Sequence, residues 1–221
     1  MSTARPDDAV RSTQRRIRVV SILDAAERAG LTPLPLLQLH TIAYFADALA
    51  PVWGLRILDA QLLKRREGPM SPLLQRDVDS LVGSGVVTAS SVRYVLDDEG
   101  GWRLDAMYST NPEFALRILN AAAAFEEHAK QLNFVQEVVF SISALGPEVI
   151  YDATASDAAY GDSLIDIGGL LDIASAGSLM NQTARIAVRF GELMHPNVDL
   201  SNAEMVHLYV RELYKRIARV A

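Results

Sequence analysis

The spacing of apolar residues changes within residues 72–106, and this change constrains the fold more than any other feature of the sequence. Over residues 72–82, leucine and valine recur at three- and four-residue intervals, as they do on one face of a helix. The period changes after the Gly-Val-Val segment at residues 85–87: Val92, Tyr94 and Leu96 occupy alternate positions, and the alternation resumes beyond the turn-forming Asp-Asp-Glu-Gly-Gly stretch at residues 97–101. The pattern predicts an amphipathic helix that is followed by a β-hairpin.

Helical spacing also marks three segments before this stretch. Apolar residues recur in this way over residues 17–29, and the strongly apolar residues 36–49 predict a second, buried helix. A third segment, roughly residues 55–66, is expected to be helical and to end at the Gly-Pro turn of residues 68–69. The chain therefore offers helix, turn, helix and then hairpin, which is the order of elements in a winged helix.

We therefore predict a mainly α fold whose N-terminal half is winged-helix-like and carries a β-hairpin wing. This domain is expected to span residues 17–110, with residues 72–82 in the place of the recognition helix and residues 93–103 as the wing. Residues 1–16 mix charged and small side chains and are expected to be a flexible tail. Helical spacing resumes after an Asn-Pro pair, so residues 111–221 are expected to form a helical domain packed on the first one.

Composition and charge exclude several classes of protein. The 221 residues contain no cysteine, which excludes disulfides, thiolate nucleophiles and zinc sites built on cysteine. No apolar run approaches the roughly 18–20 residues of a membrane-spanning helix, and the first residues lack the apolar stretch of a secretory signal, so we expect a cytoplasmic protein without a membrane partner. A formal net charge of -6 argues against a protein that coats nucleic acid, although it allows local basic patches.

The residues that usually carry catalysis or bind cofactors show no recognisable arrangement. The four histidines lie far apart, with no pair at the spacing of a helical metal site. The chain also lacks a Gly-x-Ser-x-Gly elbow, and its paired glycines lack the lysine of a phosphate-binding loop. Aspartates recur over residues 152–172, a pattern that could hold a divalent cation but is more typical of solvated or helix-capping side chains. We therefore predict no enzyme, no cofactor and no metal site.

One group of basic and polar residues is the candidate contact site for DNA or a partner. It consists of Lys64, Arg65, Arg66, Gln75, Arg76, Arg93 and Arg103. The group would line one side of a winged helix and face either nucleic-acid phosphates or an acidic partner. The alternative interpretation of its first three members is the polar end of a helix, which the helix dipole favours. Asp77 and Asp79 on the predicted recognition helix would repel phosphates, so a protein partner is at least as well supported as DNA.

Three stretches of the chain resemble two groups of bacterial proteins that share this layout. The stretches are Leu-His-Thr-Ile-Ala-Tyr-Phe-Ala at residues 39–46, Glu-Gly-Pro-Met-Ser-Pro at residues 67–72, and residues 77–87 with their Ser-Leu-Val and Gly-Val-Val segments. The better match is the middle component of three-component conflict systems organised around an ABC ATPase, which include the accessory subunit of Lamassu-type antiphage defence. The second is the Panacea domain of SocA-like antitoxins.

The resemblance implies a non-enzymatic adaptor that links an ABC ATPase of the SMC or Rad50 type to an effector, such as a nuclease, in defence against phage or plasmids. It carries over no catalytic residue, and it covers about residues 36–96, leaving residues 111–221 without a match. The alternative function is a DNA-binding winged-helix transcriptional regulator or antitoxin. Its DNA contacts would be Gln75, Arg76, Arg93 and Arg103.

Overall fold

Helices account for most of the chain in the computed structural model, which describes residues 6–96, 100–146, 149–174, 181–194 and 199–220. The helices are α1 (Pro6–Arg28), α2 (Leu36–Ala48), α3 (Pro72–Gly83), α4 (Pro112–Ala123), α5 (Glu126–Ser143), α6 (Ile150–Ala155), α7 (Gln182–Met194) and α8 (Asn202–Val220). The strands are β1 (Leu34–Pro35), β2 (Gln61–Arg65), β3 (Gly68–Met70), β4 (Val87–Leu96), β5 (Trp102–Thr110) and β6 (Leu170–Asp172). A short 3-10 helix, Ala50–Trp53, follows α2. The prediction of a mainly helical chain is confirmed, and the strands make the fold a mixed α and β one.

The core is built around α2, which is buried on nearly every side because its sequence carries almost no charge. Leu39, Ile42 and Phe45 are fully buried there. Helices α1 and α5 pack against α2 and against each other, and α8 packs on α5. Buried apolar residues from both sides of residue 110 join in one cluster, so the two halves of the chain share a core.

Helix α1 begins at Pro6, so most of the 1–16 segment is helical and the prediction of a flexible tail is wrong there. The first five residues of the segment lie outside the described residues. The end of this segment is held to the core, because Arg15 and Arg16 reach the buried carboxylate of Asp77 on α3, with N–O distances of 2.6 and 3.3 Å. Partners so far apart in the chain leave no trace in the local spacing of apolar residues.

A three-stranded antiparallel sheet, ordered β3-β2-β6, occupies the segment for which the sequence predicts a third helix. Its register pairs Leu62 with Leu171 and Leu63 with Met70. Burial alternates along β2, as in a strand with one covered face. The prediction of a helix at residues 55–66 is wrong because this segment pairs with β6, which lies much later in the chain.

The second sheet contains the predicted hairpin. Strands β4 and β5 pair antiparallel, and β1, between α1 and α2, pairs with the other side of β5. The hairpin is confirmed, although its strands extend beyond residues 93–103 on both sides. In the described part of the chain a sheet, not a helix, directly precedes α3, so the helix-turn-helix is not observed as predicted.

The C-terminal half contributes a strand as well as helices. Where residues 111–221 are described they are mainly helical, but β6 joins β2 of the first half. Helices α7 and α8 pack on each other and on the 3-10 helix. Among the described residues, none of the helices combines the length and the hydropathy needed to cross a bilayer.

Candidate protein-interaction surface

The outer half of the β4–β5 hairpin places large apolar side chains on one face. Tyr94 lies opposite Leu104, and Leu96 lies opposite Trp102. Because successive side chains of a strand point to opposite faces, these four share a face. Val92 lies two residues before Tyr94, within the register shift between Ser90 and Arg93, and its side chain is also exposed. We call these five residues the hairpin face.

The hairpin face is open to solvent. Tyr94 is 74% exposed and Trp102 is 71% exposed, while the other three members are between 48% and 59% exposed. Since large aromatic side chains carry on the order of 150–250 Å² each, the five residues leave roughly 500 Å² of mostly apolar surface uncovered. Contiguous apolar patches larger than a few hundred Å² are rare on monomeric proteins and mark sites of interaction.

The base of the hairpin is held in the core, so the hairpin face has a fixed support. Ala106 and Tyr108 of β5 are buried there. The register shifts between Ser90 and Arg93, and Ser91 has a φ of 51°, which marks a β-bulge where the outer half begins. Bulges increase the local twist of a strand and change the direction of the side chains beyond them.

The opposite face of the outer half is charged and internally paired. Arg93 lies 3.2 Å from Asp105 across the two strands. Arg103 lies 3.4 Å from the same carboxylate through Nη1 and 3.0 Å from Glu67 of the β2–β3 turn through Nε. Carboxylates therefore pair with Arg93 and Arg103, two of the predicted DNA or partner contacts, and Glu67 connects the hairpin to the other sheet.

Lys64 is buried, which contradicts its predicted role at the surface. Its ammonium group donates hydrogen bonds to the carbonyl oxygens of Asp162 and Ile165, at 2.6 and 2.9 Å. The alternation of side chains along β2 turns Lys64 inward, where its Nζ also lies 5.8 Å from the centre of the Tyr160 ring. The prediction of a DNA or partner contact at Lys64 is wrong because these partners hold the charge inside the protein.

The remaining members of the predicted group do not form one continuous basic surface. Arg65 is half-buried, and its backbone bonds to a tyrosine hydroxyl. Gln75 is half-buried and lies 3.1 Å from a ring nitrogen of His40. Arg66 and Arg76 are exposed, the first in the β2–β3 turn and the second on α3.

A network of buried charges, which the sequence analysis does not single out, lies beneath α3. Arg18 forms two hydrogen bonds with the carboxylate of Asp47, at 2.6 and 2.8 Å. Asp47 also accepts hydrogen bonds from the backbone nitrogens of Leu58 and Asp59. Asp59 in turn accepts one from the hydroxyl of Ser71, the N-cap of α3, and burial raises the pKa of this aspartate. An aspartate within an apolar helix is the one sequence signal that could have revealed this network.

His40 belongs to the same network and is neutral at physiological pH. Its Nδ1 accepts a hydrogen bond from the backbone nitrogen of Ser71 at 3.2 Å, and its Nε2 faces the side-chain oxygen of Gln75. Burial lowers the pKa of His40 to about 4. The imidazole therefore connects α2 to the start of α3 as a structural group.

The aspartate pattern of residues 152–172 includes one buried member, Asp157. Its carboxylate accepts hydrogen bonds from the hydroxyls of Tyr44, Thr183 and Tyr209, at 2.5, 2.8 and 2.7 Å. Burial raises the pKa of both tyrosines, so their hydroxyls remain donors. Asp157 thus connects α2, α7 and α8. In the part of the chain that the structure describes, no three His, Asp or Glu side chains lie close enough together to hold a metal ion.

Comparisons of the chain with protein-family models, with curated proteins and with solved structures found no match.

Proposed function

We propose that the chain is a non-enzymatic adaptor subunit that holds a partner protein on the hairpin face. The observation that carries this proposal is the exposure of Tyr94 and Trp102 beside three exposed aliphatic side chains. Tyrosine and tryptophan are enriched at the centres of interfaces because they bury a large area at a small entropic cost. The roughly 500 Å² of the hairpin face would supply most of the about 800 Å² that each partner buries in a standard interface.

The partner in this proposal is an ABC ATPase of the SMC type, with an effector as the second partner, in a bacterial antiphage or anti-plasmid defence system. The resemblance at residues 39–46, 67–72 and 77–87 supports it. These stretches lie in α2, in the β2–β3 turn and β3 up to the start of α3, and from α3 into β4. Helix α2 packs on β3, so the first two stretches are neighbours in the fold.

The winged-helix interpretation is part of the same proposal. The order α1, β1, α2, α3, β4, β5, with β1 beside β5 in the sheet, fits a winged helix into which the β2–β3 hairpin is inserted. The β4–β5 hairpin would then be the wing. An apolar wing suits a protein partner better than DNA, since phosphates are bound by cations.

A DNA-binding regulator or antitoxin is the second candidate. The observation in its favour is that Arg76 is exposed on α3, the element in the place of the recognition helix. It is the weaker candidate because carboxylates pair with Arg93 and Arg103. A steep fall of DNA affinity with rising salt concentration would favour it.

The first test is affinity purification of the tagged chain from its native host at moderate salt, with identification and sizing of the complex. The Tyr94→Thr/Trp102→Thr variant is compared with the unmodified chain. The matched control is Leu164→Thr/Leu193→Thr, which changes two side chains that are 89% and 64% exposed outside the hairpin. We expect an ABC ATPase in stable proportion with the unmodified chain and the control, and its loss from the hairpin variant.

Two results would contradict the proposal. If the hairpin variant retained the ATPase, the hairpin face would not be the docking site. If the chain were recovered alone and bound tightly to a specific promoter fragment, the regulator would be the correct function.

A further inference from the structure

A groove of about 710 Å³ opens between the N-terminal half of α1, the start of α3 and the chain that leads into β2. Leu58, Ala60 and Leu73 give it an apolar lining, and Leu73 is 41% exposed. Four arginines also line it. They are Arg11, Arg15, Arg16 and Arg76. We call this feature the arginine groove.

The arginines of the groove exceed the carboxylates with which they pair. Arg15 and Arg16 share the single carboxylate of Asp77, at 2.6 and 3.3 Å. Arg11 and Arg76 are exposed and form no ion pair with another described residue. Two guanidinium groups therefore remain available to an anionic ligand.

Three further carboxylates line the groove and restrict what it can bind. Asp8 lies one helical turn before Arg11 on α1, and Asp172 lies on β6. Asp59 lies where the groove meets the buried network, and burial raises its pKa. Duplex DNA would bring a continuous row of phosphates against these aspartates. A peptide can place its few carboxylates beside the arginines only.

We propose that the arginine groove binds an acidic, amphipathic segment of a partner protein. Arg11 and Arg76 take up its carboxylates, because a guanidinium group binds a carboxylate through two parallel hydrogen bonds. Leu73 lies three residues before Arg76 on the same face of α3 and packs against an apolar side chain of the segment. The inference rests on the proposed function in taking a protein as the partner, and it adds a second, charge-dependent contact that shares no residue with the hairpin face.

Fluorescence anisotropy tests this inference without the natural partner. The probe is a labelled synthetic peptide of alternating glutamate and leucine pairs, and the charge control has glutamine in place of every glutamate. The Arg11→Gln/Arg76→Gln variant should bind the acidic peptide at least about tenfold more weakly than the unmodified chain, and with a shallower salt dependence. The matched control, Arg185→Gln/Arg211→Gln, removes the same charge from exposed positions on α7 and α8 and should bind as the unmodified chain does.

Two more variants test the apolar contact made by Leu73 and the independence of the arginine groove from the hairpin face. Leu73→Ser should weaken binding and leave its salt dependence unchanged. Tyr94→Thr/Trp102→Thr should bind the peptide normally, so that failure of the hairpin proposal and failure of this one can be told apart. Circular dichroism spectra that match the unmodified chain show that each variant is folded.

Four results would overturn the inference. They are no binding of the acidic peptide, equal binding of the glutamine peptide, and unchanged binding by the Arg11→Gln/Arg76→Gln variant. The fourth is that the unmodified chain binds a labelled DNA duplex more tightly than it binds the acidic peptide, and that the Arg11→Gln/Arg76→Gln variant no longer binds the duplex.

Discussion

His40 lies on a strongly apolar helix, and both of its ring nitrogens are engaged there. Nδ1 accepts a hydrogen bond from the backbone of Ser71, which leaves the proton on Nε2, facing Gln75. A second proton would break the bond to Ser71 and place a charge in the interior. This is why burial lowers the pKa of His40 to about 4.

Acid should destabilise the fold over the pH range between the pKa values of His40 in the unfolded and folded chain. In the unfolded chain this side chain takes up its proton near the ordinary pKa of 6.5, whereas in the folded chain it does so near 4. Between these values the unfolded state binds more protons, so the free energy of unfolding should fall as the pH drops from 6.5 to 4, by up to about 3 kcal/mol. Urea unfolding at a series of pH values measures this loss.

The His40→Gln variant should lose this part of the pH dependence. Comparison of the two proteins at each pH cancels the contribution of Asp59, whose raised pKa acts in the opposite direction. His207→Gln, at an exposed position of α8, should keep the loss of stability because His40 is still present. If the free energy of unfolding of His40→Gln fell with pH as steeply as that of the unmodified chain, His40 would not be the cause of the loss.

At the scale of elements, the sequence predicts those parts of the fold whose causes are local. Helix α3 follows from its apolar spacing and its Ser71 cap, and the hairpin follows from alternation around a turn. The strand β2 and the helical state of residues 12–16 could not be predicted from local spacing, because the first pairs with β6 and the second contacts Asp77, far away in the chain.

The hairpin face was predictable from the sequence only in part, because its exposure depends on how the rest of the chain packs. Alternation identifies the two faces of a hairpin but not which one the rest of the protein covers. Here the apolar face is the uncovered one. The predicted contacts Arg93 and Arg103 lie on the opposite face and are paired with carboxylates.

The β2–β3 turn should depend on a glycine at residue 68. Gly68 has a φ of +137°, a region that side chains with a Cβ rarely adopt, although an added methyl group would meet Thr41 Oγ1 only at an ordinary 3.6 Å. Backbone strain alone should make Gly68→Ala less stable by about 1–3 kcal/mol in urea unfolding. Gly83→Ala is the control, since Gly83 lies in the last turn of α3 without a positive φ, and its added methyl group would meet no atom outside its own helix within 4 Å. It should keep the stability of the chain or raise it by up to about 1 kcal/mol. If both substitutions changed the free energy of unfolding equally, backbone strain at residue 68 would not explain the result.

At the scale of the whole molecule, two charged pairs are buried beside the apolar core, while the large apolar side chains of the hairpin face are exposed. The pairs Arg18–Asp47 and Arg15–Asp77 are buried, and they join α1 to α2 and to α3. Buried pairs of this kind are costly to break, because removing one partner leaves an uncompensated charge. They fix which elements meet, while Tyr94 and Trp102 remain open. A rigid interior with an uncovered apolar face is what the proposed adaptor requires.

Deletion of residues 1–16 tests how far the fold depends on the start of α1. The deletion takes Arg15 and Arg16 away from Asp77, whose side chain is only 2% exposed, and leaves a buried carboxylate without a cation. We expect a loss of about 3–5 kcal/mol in the free energy of unfolding, measured with urea. Deletion of residues 1–8 should change stability little, since it leaves both arginines in place.

A substitution at residue 77 then identifies the cause of the loss. In the shortened chain Asp77→Asn should recover part of the stability, because an amide needs no cation, whereas in the full-length chain the same change should be destabilising. Opposite signs in the two backgrounds would show that the arginines of α1 act through this carboxylate. If the 1–16 deletion left stability unchanged, these residues would behave as the flexible tail that the sequence predicts, and the long α1 would contribute nothing to the fold.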